Sequence, residues 1–166
     1  MIRTKNLYLR ELISSDAKTY HSISTRDDED LCNYAVFFAT SSEKRSKEFI
    51  LEYYNSKTAL LYGIFLSDDT LVGAVILTQS FYSRNYMNAI EVSYFIGKNY
   101  RNKGYATEAL QEIINYYSDK KLLLDALKFS VKTTNAPSIR VLEKIGSEFY
   151  KKSDFGEYLR YKRYLK

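Results

Sequence analysis

The sequence predicts a mixed α/β fold in which helices pack on a central β-sheet. Residues 4–12 and 87–96 alternate apolar and polar side chains, which is the period of a strand with one buried face. Residues 106–117 instead repeat apolar side chains at every third or fourth position, as one face of a helix does. Such segments follow one another in the order β-α-α-β-β-β-α-β-α-β-β, without a repeat or an interdomain linker. We therefore expect one domain over residues 1–166.

The composition is that of a globular protein and excludes several other classes. Hydrophobic residues make up 45% of the chain, and 166 residues bury roughly 70% of the surface of the unfolded chain. No apolar run approaches the roughly 20 residues of a membrane-spanning helix, and the N-terminus lacks the apolar core of a signal peptide. The single cysteine, Cys32, and the single histidine, His21, form neither a disulfide nor a zinc site. We expect both to be structural, with no metal, no membrane contact and a reducing, cytoplasmic location.

Positive charge is concentrated near the C-terminus. The formal net charge is +5, and from Arg140 onward eight Lys or Arg residues stand against four Asp or Glu residues. Such a region suits a polyanionic ligand or nucleic acid, or it is simply a solvated lysine-rich surface. The 17 tyrosines could stack on single-stranded nucleic acid, but most of them alternate within strands, which favours packing. We therefore expect no nucleic-acid partner.

The elements of the N-terminal half are predicted from periodicity and capping residues. They are a strand at 4–12, a helix from the N-cap cluster Ser14–Asp16 to about residue 24, and a helix at 43–55 after Ser41 and Ser42. The acidic run 27–30 is either a loop or the start of a helix. The apolar and aromatic segment 31–40 either lines a pocket or belongs to the core.

The remaining elements are predicted in the same way. Strands at 59–66 and 71–78 flank the hairpin turn 67–70, a polar aromatic connection spans 80–86, and a long strand covers 87–96. On that strand Ile90, Val92, Tyr94 and Ile96 share one face, and Glu91, Ser93 and Phe95 share the other. After the helix at 106–117 come a strand at 126–131, a helix capped by Asn135 and ended by Gly146, and strands at 147–152 and 158–165.

The loop between the long strand and the following helix has the features of an anion site. It contains Gly97 and Gly104 and leads directly into the first turn of the helix at 106–117. The first turn of a helix has unpaired backbone N–H groups and a partial positive charge. Arg101 and Lys103 add full positive charges beside it. This stretch therefore predicts a phosphate or pyrophosphate site.

Two motifs resemble the GNAT acetyltransferase superfamily. The run R-N-K-G-Y-A at 101–106 fits the R/Q-x-x-G-x-G/A signature, in which the loop wraps the pyrophosphate of coenzyme A. The run N-A-P-S-I-R-V-L-E-K-I-G at 135–146 resembles the N-x-x-S-x-x-V-L-E-K-x-G segment of the branch with RimJ/RimL-type ribosomal-protein N-terminal acetyltransferases. The chain departs from this branch at Arg101, where Trp is frequent, at Asn102, where Gly is usual, and at Ser147, where Phe is common.

The resemblance implies a fold, a reaction and partners. The fold would be the GNAT acyl-CoA N-acyltransferase fold, a mixed, mostly antiparallel central sheet of about 6–7 strands flanked by about 4 helices. The reaction would be acetyl transfer from acetyl-CoA to a primary amine by direct attack, without a protein nucleophile. The first choice of acceptor is a protein or peptide N-terminal α-amine, and the alternative is a small amine such as a polyamine, an aminoglycoside or an amino-acid derivative. A non-catalytic acyl-CoA sensor is a further alternative, and a monomer and a homodimer are both open.

The resemblance also implies site residues. The backbone of Phe95, Ile96 and Gly97 would hold the pantetheine arm, and Asn135 would hydrogen-bond it or simply cap its helix. The groups around the pyrophosphate would be Arg101, Asn102, Lys103, Gly104, Tyr105, Ala106 and Thr107. Glu91 matches the glutamate of an E-I-G-Y segment and is the candidate base, with a salt bridge or an orienting role as alternatives. Ser138 is the candidate hydrogen-bond donor to the leaving thiolate, or a small residue that permits close cofactor packing.

Overall fold

The computed structural model describes residues 1–80, 88–120 and 124–165. Within them, eight strands form one sheet in the order β1-β2-β3-β4-β5-β6-β8-β7. The strands are β1 Ile2–Arg3, β2 Leu7–Glu11, β3 Ala59–Leu66, β4 Leu71–Ser80, β5 Ala89–Ile96, β6 Ala126–Lys132, β7 Glu148–Lys152 and β8 Tyr158–Tyr164. The helices are α1 Ala17–Ile23, α2 Glu29–Ala35, α3 Glu43–Tyr54, α4 Tyr105–Asp119 and α5 Ala136–Lys144.

The predicted fold class is confirmed, and the structure adds one strand and one helix to the predicted numbers. The additional strand, β1, has two residues and pairs antiparallel with β2, so it is too short to show a period in the sequence. The additional helix, α2, arises from the acidic run, which the sequence left open as a loop or a helix start. The Asp28 carboxylate accepts a hydrogen bond from the Leu31 N–H (3.2 Å) and thereby caps this helix.

Capping residues account for where the other helices begin. The Ser42 hydroxyl accepts from the Arg45 N–H (3.1 Å), so α3 starts where the sequence predicted. The cluster Ser14–Asp16 instead forms a 3₁₀ turn, and α1 begins at Ala17. Asp16 caps nothing in α1 because its carboxylate binds the Arg10 guanidinium (2.7 Å) and the Ile13 N–H.

Two separate hydrophobic clusters lie on the two faces of the sheet. On one face, α4 and α5 pack on the sheet, and this core includes Ile113 and Leu142 from the helices. On the other face, α1, α2 and α3 cover β2 to β5. The strand β5 contributes to both, with Val92 in the first cluster and Phe95 in the second, as the predicted alternation requires.

The strands β5 and β6 form the one parallel pair among the described strands, and their pairing is short. Three residue pairs join them, and the last is Glu91 with Lys128. Beyond that pair β5 continues beside β4 as far as Ile96, and β6 continues beside β8 as far as Lys132. The two strands therefore separate toward their C-terminal ends and leave a V-shaped opening in the sheet.

The N-terminus of α4, which borders this opening, is fixed from the side by the turn between β1 and β2. The carboxylate of Glu108 in the first turn accepts from the Asn6 backbone N–H (2.8 Å) and from the Asn6 side-chain amide (3.0 Å). The Thr4 hydroxyl donates to the same carboxylate (2.5 Å). These contacts join residues more than 100 positions apart, so the sequence pattern did not reveal them.

The remaining predictions concern the strands and their connections. The hairpin of β3 and β4 is confirmed, with Asp69 of the turn in the left-handed region at φ 67°. Of the predicted connection 80–86, Ser80 belongs to β4, whereas 81–86 and the predicted strand start at Met87 lie outside the described residues. In the part of the chain that the structure describes, no helix is both long and apolar enough to cross a membrane.

Candidate active site

A cavity of about 570 Å³ fills the opening between β5 and β6. Its walls come from both edges of the V, from the loop and first turn at 100–107, from α5, and from α2 with the turn that follows it. The opening thus runs through the sheet, with α4 and α5 on one side and α2 on the other. Its size is in the range of small-molecule and cofactor sites.

The backbone of β5 offers hydrogen-bonding groups to the cavity at alternate residues. The Gly97 N–H donates to the Val72 carbonyl of the β4 side (2.9 Å), and antiparallel pairing then turns every second residue of β5 toward β4. The residues whose N–H and C=O groups face the opening are therefore Val92, Tyr94 and Ile96. The predicted backbone contact of Ile96 with the pantetheine arm is compatible with this geometry.

The same alternation corrects two of the predicted backbone contacts. Phe95 lines the cavity with its side chain, but its backbone groups point to β4. Gly97 is buried, does not line the cavity and has already used its N–H. The sequence placed the strand correctly. The alternation of apolar and polar residues does not, however, tell to which neighbouring strand the backbone groups of each residue are hydrogen-bonded.

The loop before α4 has the geometry of an anion site. Gly104 caps the helix with φ 82°, in the left-handed region that glycine adopts without strain, and a Cβ there would meet nothing within 4 Å. The Glu108 N–H is the first intrahelical donor and bonds to the Gly104 carbonyl (3.0 Å), so the N–H groups of Tyr105, Ala106 and Thr107 before it have no intrahelical acceptor. All three residues line the cavity.

Asn102 also has a left-handed backbone, with φ 62°. Asparagine is among the few residues other than glycine that enter this region at low cost. The departure from the usual glycine at this position therefore preserves the shape of the loop. Asn102 lies on the cavity wall, and its contact with a pyrophosphate stays a prediction.

Arg101 lines the cavity, but its charge is directed to α2. The guanidinium donates to the Asp28 carboxylate, to the Asp30 carboxylate (2.9 Å) and, through Nε, to the Ile96 carbonyl (3.0 Å). The predicted positive charge thus stands beside the loop but is paired with two carboxylates, and a role of Arg101 in phosphate binding stays a prediction. Lys103 is exposed and does not line the cavity, with Nζ 5.7 Å from the centre of the Tyr100 ring.

The α5 side of the cavity carries Asn135 and Ser138. The Asn135 side-chain oxygen accepts from the Ser138 N–H (3.2 Å), so Asn135 is a helix cap, and its amide nitrogen is still available as a donor. Ser138 is half-buried and lines the cavity together with the apolar residues Val141 and Leu142. Asn135 and Ser138 thus both lie on the α5 wall of the cavity.

Tyr94 is a candidate functional residue that the sequence analysis treated only as part of a strand face. Its hydroxyl oxygen is buried without a hydrogen bond of standard geometry to any described residue. Burial raises the pKa of Tyr94 to about 12, and the neighbouring Ser138 hydroxyl offsets part of that rise. At neutral pH the phenol therefore keeps its proton and can donate it. The residues are 44 positions apart, so periodicity alone could not pair them.

Glu91 lies at the closed end of the V rather than within the cavity. It is exposed, it does not line the cavity wall, and it stands beside Thr78 of β4 and Lys128 of β6. Its exposure arises because no helix of the described residues covers the sheet at this position. Its exposure leaves it in contact with solvent and within reach of a molecule that enters from the α2 side.

The segment 31–40 contributes both to the core and to the cavity, the two alternatives that the sequence left open. Leu31 and Phe38 are buried in the core under α1 and α3, whereas Tyr34 and Phe37 line the cavity. The Tyr34 hydroxyl donates to the Thr134 carbonyl (3.3 Å), which connects α2 to the loop before α5. This contact bridges the two sides of the opening.

The electrostatics of the cavity favour an anion. Its wall includes Lys132, Arg140 and Lys144, and the N-terminus of α4 adds partial positive charge. His21 and Cys32 are not on the wall. They bond to Thr40 and to the Arg26 carbonyl instead, in keeping with structural roles. Over the described residues, no group of three His, Cys, Asp or Glu side chains is suited to hold a metal ion.

The residues present fit a long thioester with a polyanionic end. The open space above Gly104 and the unpaired N–H groups of α4 suit a pyrophosphate, and the free edges of the two strands suit an amide-rich arm between them. The far end of such an arm would lie beside Ser138 and Tyr94. Coenzyme A has these parts in this order.

Comparison with known proteins agrees with the geometry. A family model described as an acetyltransferase (GNAT) domain matches residues 6–148, which is most of the chain. The uncharacterized N-acetyltransferase YnaD of Bacillus subtilis (strain 168) is 29% identical over 154 residues, which cover 91% of this chain and 86% of that protein.

Solved structures share the fold. RimL, a ribosomal L7/L12 α-N-protein acetyltransferase in complex with coenzyme A, superimposes with a TM-score of 0.82 at 15% identity and covers 98% of this chain and 96% of its own. A spermidine N-acetyltransferase from Vibrio cholerae, in complex with CoA and spermine, gives a TM-score of 0.78 at 16% identity and covers 96% of each chain. At these identities the likeness concerns the fold.

The phosphate loop can be tested with Gly104→Val. Gly156 offers a matched control, because it has φ 73° and equally open surroundings but lies in the turn between β7 and β8. Each substitution should lower the free energy of unfolding by about 1–2 kcal/mol, the cost of a left-handed β-branched residue. We expect Gly104→Val alone to weaken acetyl-CoA binding, by about tenfold or more, in calorimetric titration. Equal affinities of the two variants would disprove the loop assignment.

The ion pairs of Arg101 can be tested by comparing Asp28→Asn with Asp30→Asn. Asn can still cap α2 with its oxygen, so the first change removes the buried charge and replaces the oxygen that faces Arg101 by an amide N–H₂ group. It should lower the free energy of unfolding by about 1–3 kcal/mol, whereas the change at the exposed Asp30 should cost less than about 1 kcal/mol. Urea unfolding measures both. A larger loss for Asp30→Asn would contradict the placement of Arg101.

Proposed function

Since this chain belongs to the GNAT acetyltransferase family and is thereby an acyltransferase that uses acetyl-CoA, we propose that it acetylates the N-terminal α-amine of a protein or peptide. The observation that carries direct transfer to an amine is the opening between β5 and β6, which is accessible from both faces of the sheet, and a peptide N-terminus is our first choice of that amine. A thioester held in it from the α4 and α5 side is exposed to an amine on the α2 side. Direct transfer requires this arrangement and no protein nucleophile.

The donor side holds and orients the cofactor. Acetyl-CoA supplies the activated acetyl group as a thioester. In our proposal the N–H groups of Tyr105, Ala106 and Thr107 bind the pyrophosphate, and Asn102 and Gly104 give the loop the shape that permits close approach. The backbone groups of Tyr94 and Ile96 that face the opening bond the pantetheine amides, and the Asn135 amide nitrogen donates to the same arm.

Two residues are placed to stabilise charge on the leaving group. Ser138 and Tyr94 meet on the cavity wall, and both carry a hydroxyl proton at neutral pH. We assign Ser138 the hydrogen bond to the departing sulfur, with the Tyr94 phenol beside it. A positioned donor of this kind lowers the barrier because it is already aimed at the atom on which negative charge develops.

Glu91 is the proposed base that takes the proton of the attacking ammonium. It faces the side of the sheet from which the amine arrives, and its exposure allows a water molecule to relay the proton. An orienting role for the carboxylate is the alternative, since an ammonium group would be attracted to it in either case.

A small amine is the second candidate acceptor. Asp27 and Glu29 are exposed carboxylates near α2, and the Vibrio cholerae structure with the same fold is a spermidine acetyltransferase. A non-catalytic acyl-CoA sensor would need no Glu91 or Ser138, and both are present. A cytoplasmic location and a monomeric or homodimeric state stay predictions of the sequence.

The decisive experiment measures release of free thiol from acetyl-CoA in the presence of N-terminal peptides, polyamines and aminoglycosides. We expect turnover with peptides that carry a free α-amine and none with the same peptides after N-terminal blocking. Preference for polyamines or aminoglycosides would replace the peptide acceptor by a small amine. Binding of acetyl-CoA without turnover on any amine would support the sensor.

The base assignment predicts a large effect of Glu91→Gln. The change should lower kcat/KM by about 10²–10⁴-fold, as expected for removal of a positioned base. Glu148→Gln is the control, since Glu148 is an exposed carboxylate on the same face, beside Lys162. Thiol release at saturating acetyl-CoA measures both variants. Similar rates in the two variants would remove Glu91 from the mechanism.

The donor assignment predicts that Ser138→Ala lowers kcat by on the order of 10²-fold or more without weakening acetyl-CoA binding. Ser130 provides the control, because it lines the same cavity from β6 and has no role in the proposal. Single-turnover rates and calorimetric affinities separate chemistry from binding. If Ser138→Ala lowers affinity rather than rate, Ser138 is a packing residue of the cofactor site.

A further inference from the structure

One face of the C-terminal part of the sheet carries a cluster of basic side chains. Directly paired residues of neighbouring strands share a face, so the register identifies the members of the cluster. Lys128 of β6 pairs with Lys162 of β8, and Arg160 pairs with Lys151 of β7. Lys132 lies on the same face because it is four residues after Lys128 in β6, and every second residue of a strand shares a face. We call these five residues, Lys128, Lys132, Lys151, Arg160 and Lys162, the basic face.

No helix of the described residues covers the basic face, whose members are partly exposed or, at Lys151, exposed. Two carboxylates stand beside it, Glu91 next to Lys128 and Glu148 next to Lys162, so its net charge stays positive. The hydrophobic cluster on this side of the sheet draws strand residues from β2 to β5 only, and β7 is exposed along its whole length. The ion pairs found in the described ranges involve Arg10, Arg45 and Arg101, so no member of the basic face has a carboxylate partner there. The Nε atom of Arg160 is buried without any hydrogen-bond acceptor among these residues.

The basic face lies on the side from which the acceptor must come. The anion loop, Asn135 and Ser138 approach the opening from the side of α4 and α5, so that side is occupied by the donor. The amine is left with the opposite side, where Glu91 and its neighbour Lys128 mark the closed end of the V. An acceptor larger than a few atoms therefore extends from Glu91 over the basic face or toward α2.

We propose that the acceptor is the N-terminus of an acidic peptide segment, whose carboxylates bind the basic face while its α-amine reaches the thioester. This inference rests on the proposed acetyltransferase function and adds the charge of the acceptor to it. The partner is a protein with a free α-amine followed closely by Asp or Glu residues. Charge complementarity of this kind raises the rate of encounter and selects among partners.

The geometry sets where the acidic residues of the acceptor should lie. Neighbouring strands are about 4.8 Å apart and an extended peptide advances about 3.3 Å per residue. A peptide with its α-amine between β5 and β6 therefore reaches Arg160 and Lys162 on β8, then Lys151 on β7, about two to four residues later. Acidic residues at these positions contact the basic face, and those further along do not.

The acidic groups near the opening do not reverse the preference of this surface for a negatively charged acceptor. Asp28 and Asp30, half of the acidic run, are bonded to Arg101 and have little charge left for a polycation. On the sheet itself Glu91 and Glu148 oppose five cations. A polyamine would thus meet net positive charge over most of the surface that it has to cross.

The test compares three synthetic hexapeptides of one length with a free N-terminal serine. Positions three and four hold Glu-Glu, Gln-Gln or Lys-Lys, and spermidine is the fourth substrate. We expect kcat/KM to fall at least about tenfold from Glu-Glu to Gln-Gln and further to Lys-Lys, with the difference shrinking in high salt as screening requires. Equal rates for the three peptides, or a preference for Lys-Lys or spermidine, would overturn the proposal.

Lys151→Glu and Lys152→Glu form a matched pair for the protein side. The two residues are adjacent in β7 and both exposed, but Lys152 pairs with Leu159 and lies on the opposite face. We expect Lys151→Glu to lower kcat/KM for the Glu-Glu peptide several-fold and to raise it for the Lys-Lys peptide, with acetyl-CoA affinity unchanged. Lys152→Glu should change neither rate. Equal effects of the two variants would contradict a role for the basic face.

The outcomes separate this proposal from the one on which it rests. Acetylation of all peptides at rates indifferent to charge leaves the acetyltransferase in place and removes the acidic acceptor. Absence of turnover on every amine, with acetyl-CoA still bound, refutes the proposed function and this proposal with it. Inhibition by a short oligonucleotide that Lys151→Glu relieves, combined with charge-indifferent peptide rates, would instead assign the basic face to nucleic acid.

Discussion

The loss of pairing between β5 and β6 after Glu91 and Lys128 is the constraint on which the rest of the structure depends. A sheet that opens in its interior exposes backbone groups on two edges, and these would be costly to bury without partners. The structure tolerates the opening because β4 and β8 hold each strand from its outer side. The cavity, its hydrogen-bonding edges and its accessibility from both faces all follow from this single interruption.

A second interaction connects the parts that surround the opening. Arg101 belongs to the anion loop, yet its guanidinium binds two carboxylates at the start of α2 and the carbonyl that ends β5. Asp28 in turn caps α2, whose Tyr34 reaches across to the loop before α5. The loop that is proposed to bind the cofactor and the helix that borders the acceptor side are thereby held in one arrangement.

The sequence predicted features that depend on neighbouring residues, such as the bounds of strands and helices. It did not predict features that depend on contacts between residues far apart in the chain. Periodicity and capping residues located the strands and helices, and a glycine at position 104 permits the positive φ that the structure shows there. The assignment of Phe95 and Gly97 failed because the direction of a strand's hydrogen bonds depends on its neighbour. The ion pairs of Arg101 were not foreseen because its partners lie more than 70 positions away, and the proximity of Tyr94 to Ser138 was missed for the same reason. The exposure of Glu91 depends on which part of the sheet the helices leave uncovered.

The two left-handed residues of the loop, Asn102 and Gly104, are a feature with a thermodynamic consequence. The loop has a defined backbone shape in the chain alone, held by Arg101 on one side and by the first turn of α4 on the other. The conformational entropy of ordering it is therefore lost when the protein folds and not when a ligand arrives. A phosphate-bearing ligand then binds to a loop that is already ordered. The enthalpy of binding therefore reports the contacts formed with the ligand and contains no contribution from ordering of the chain.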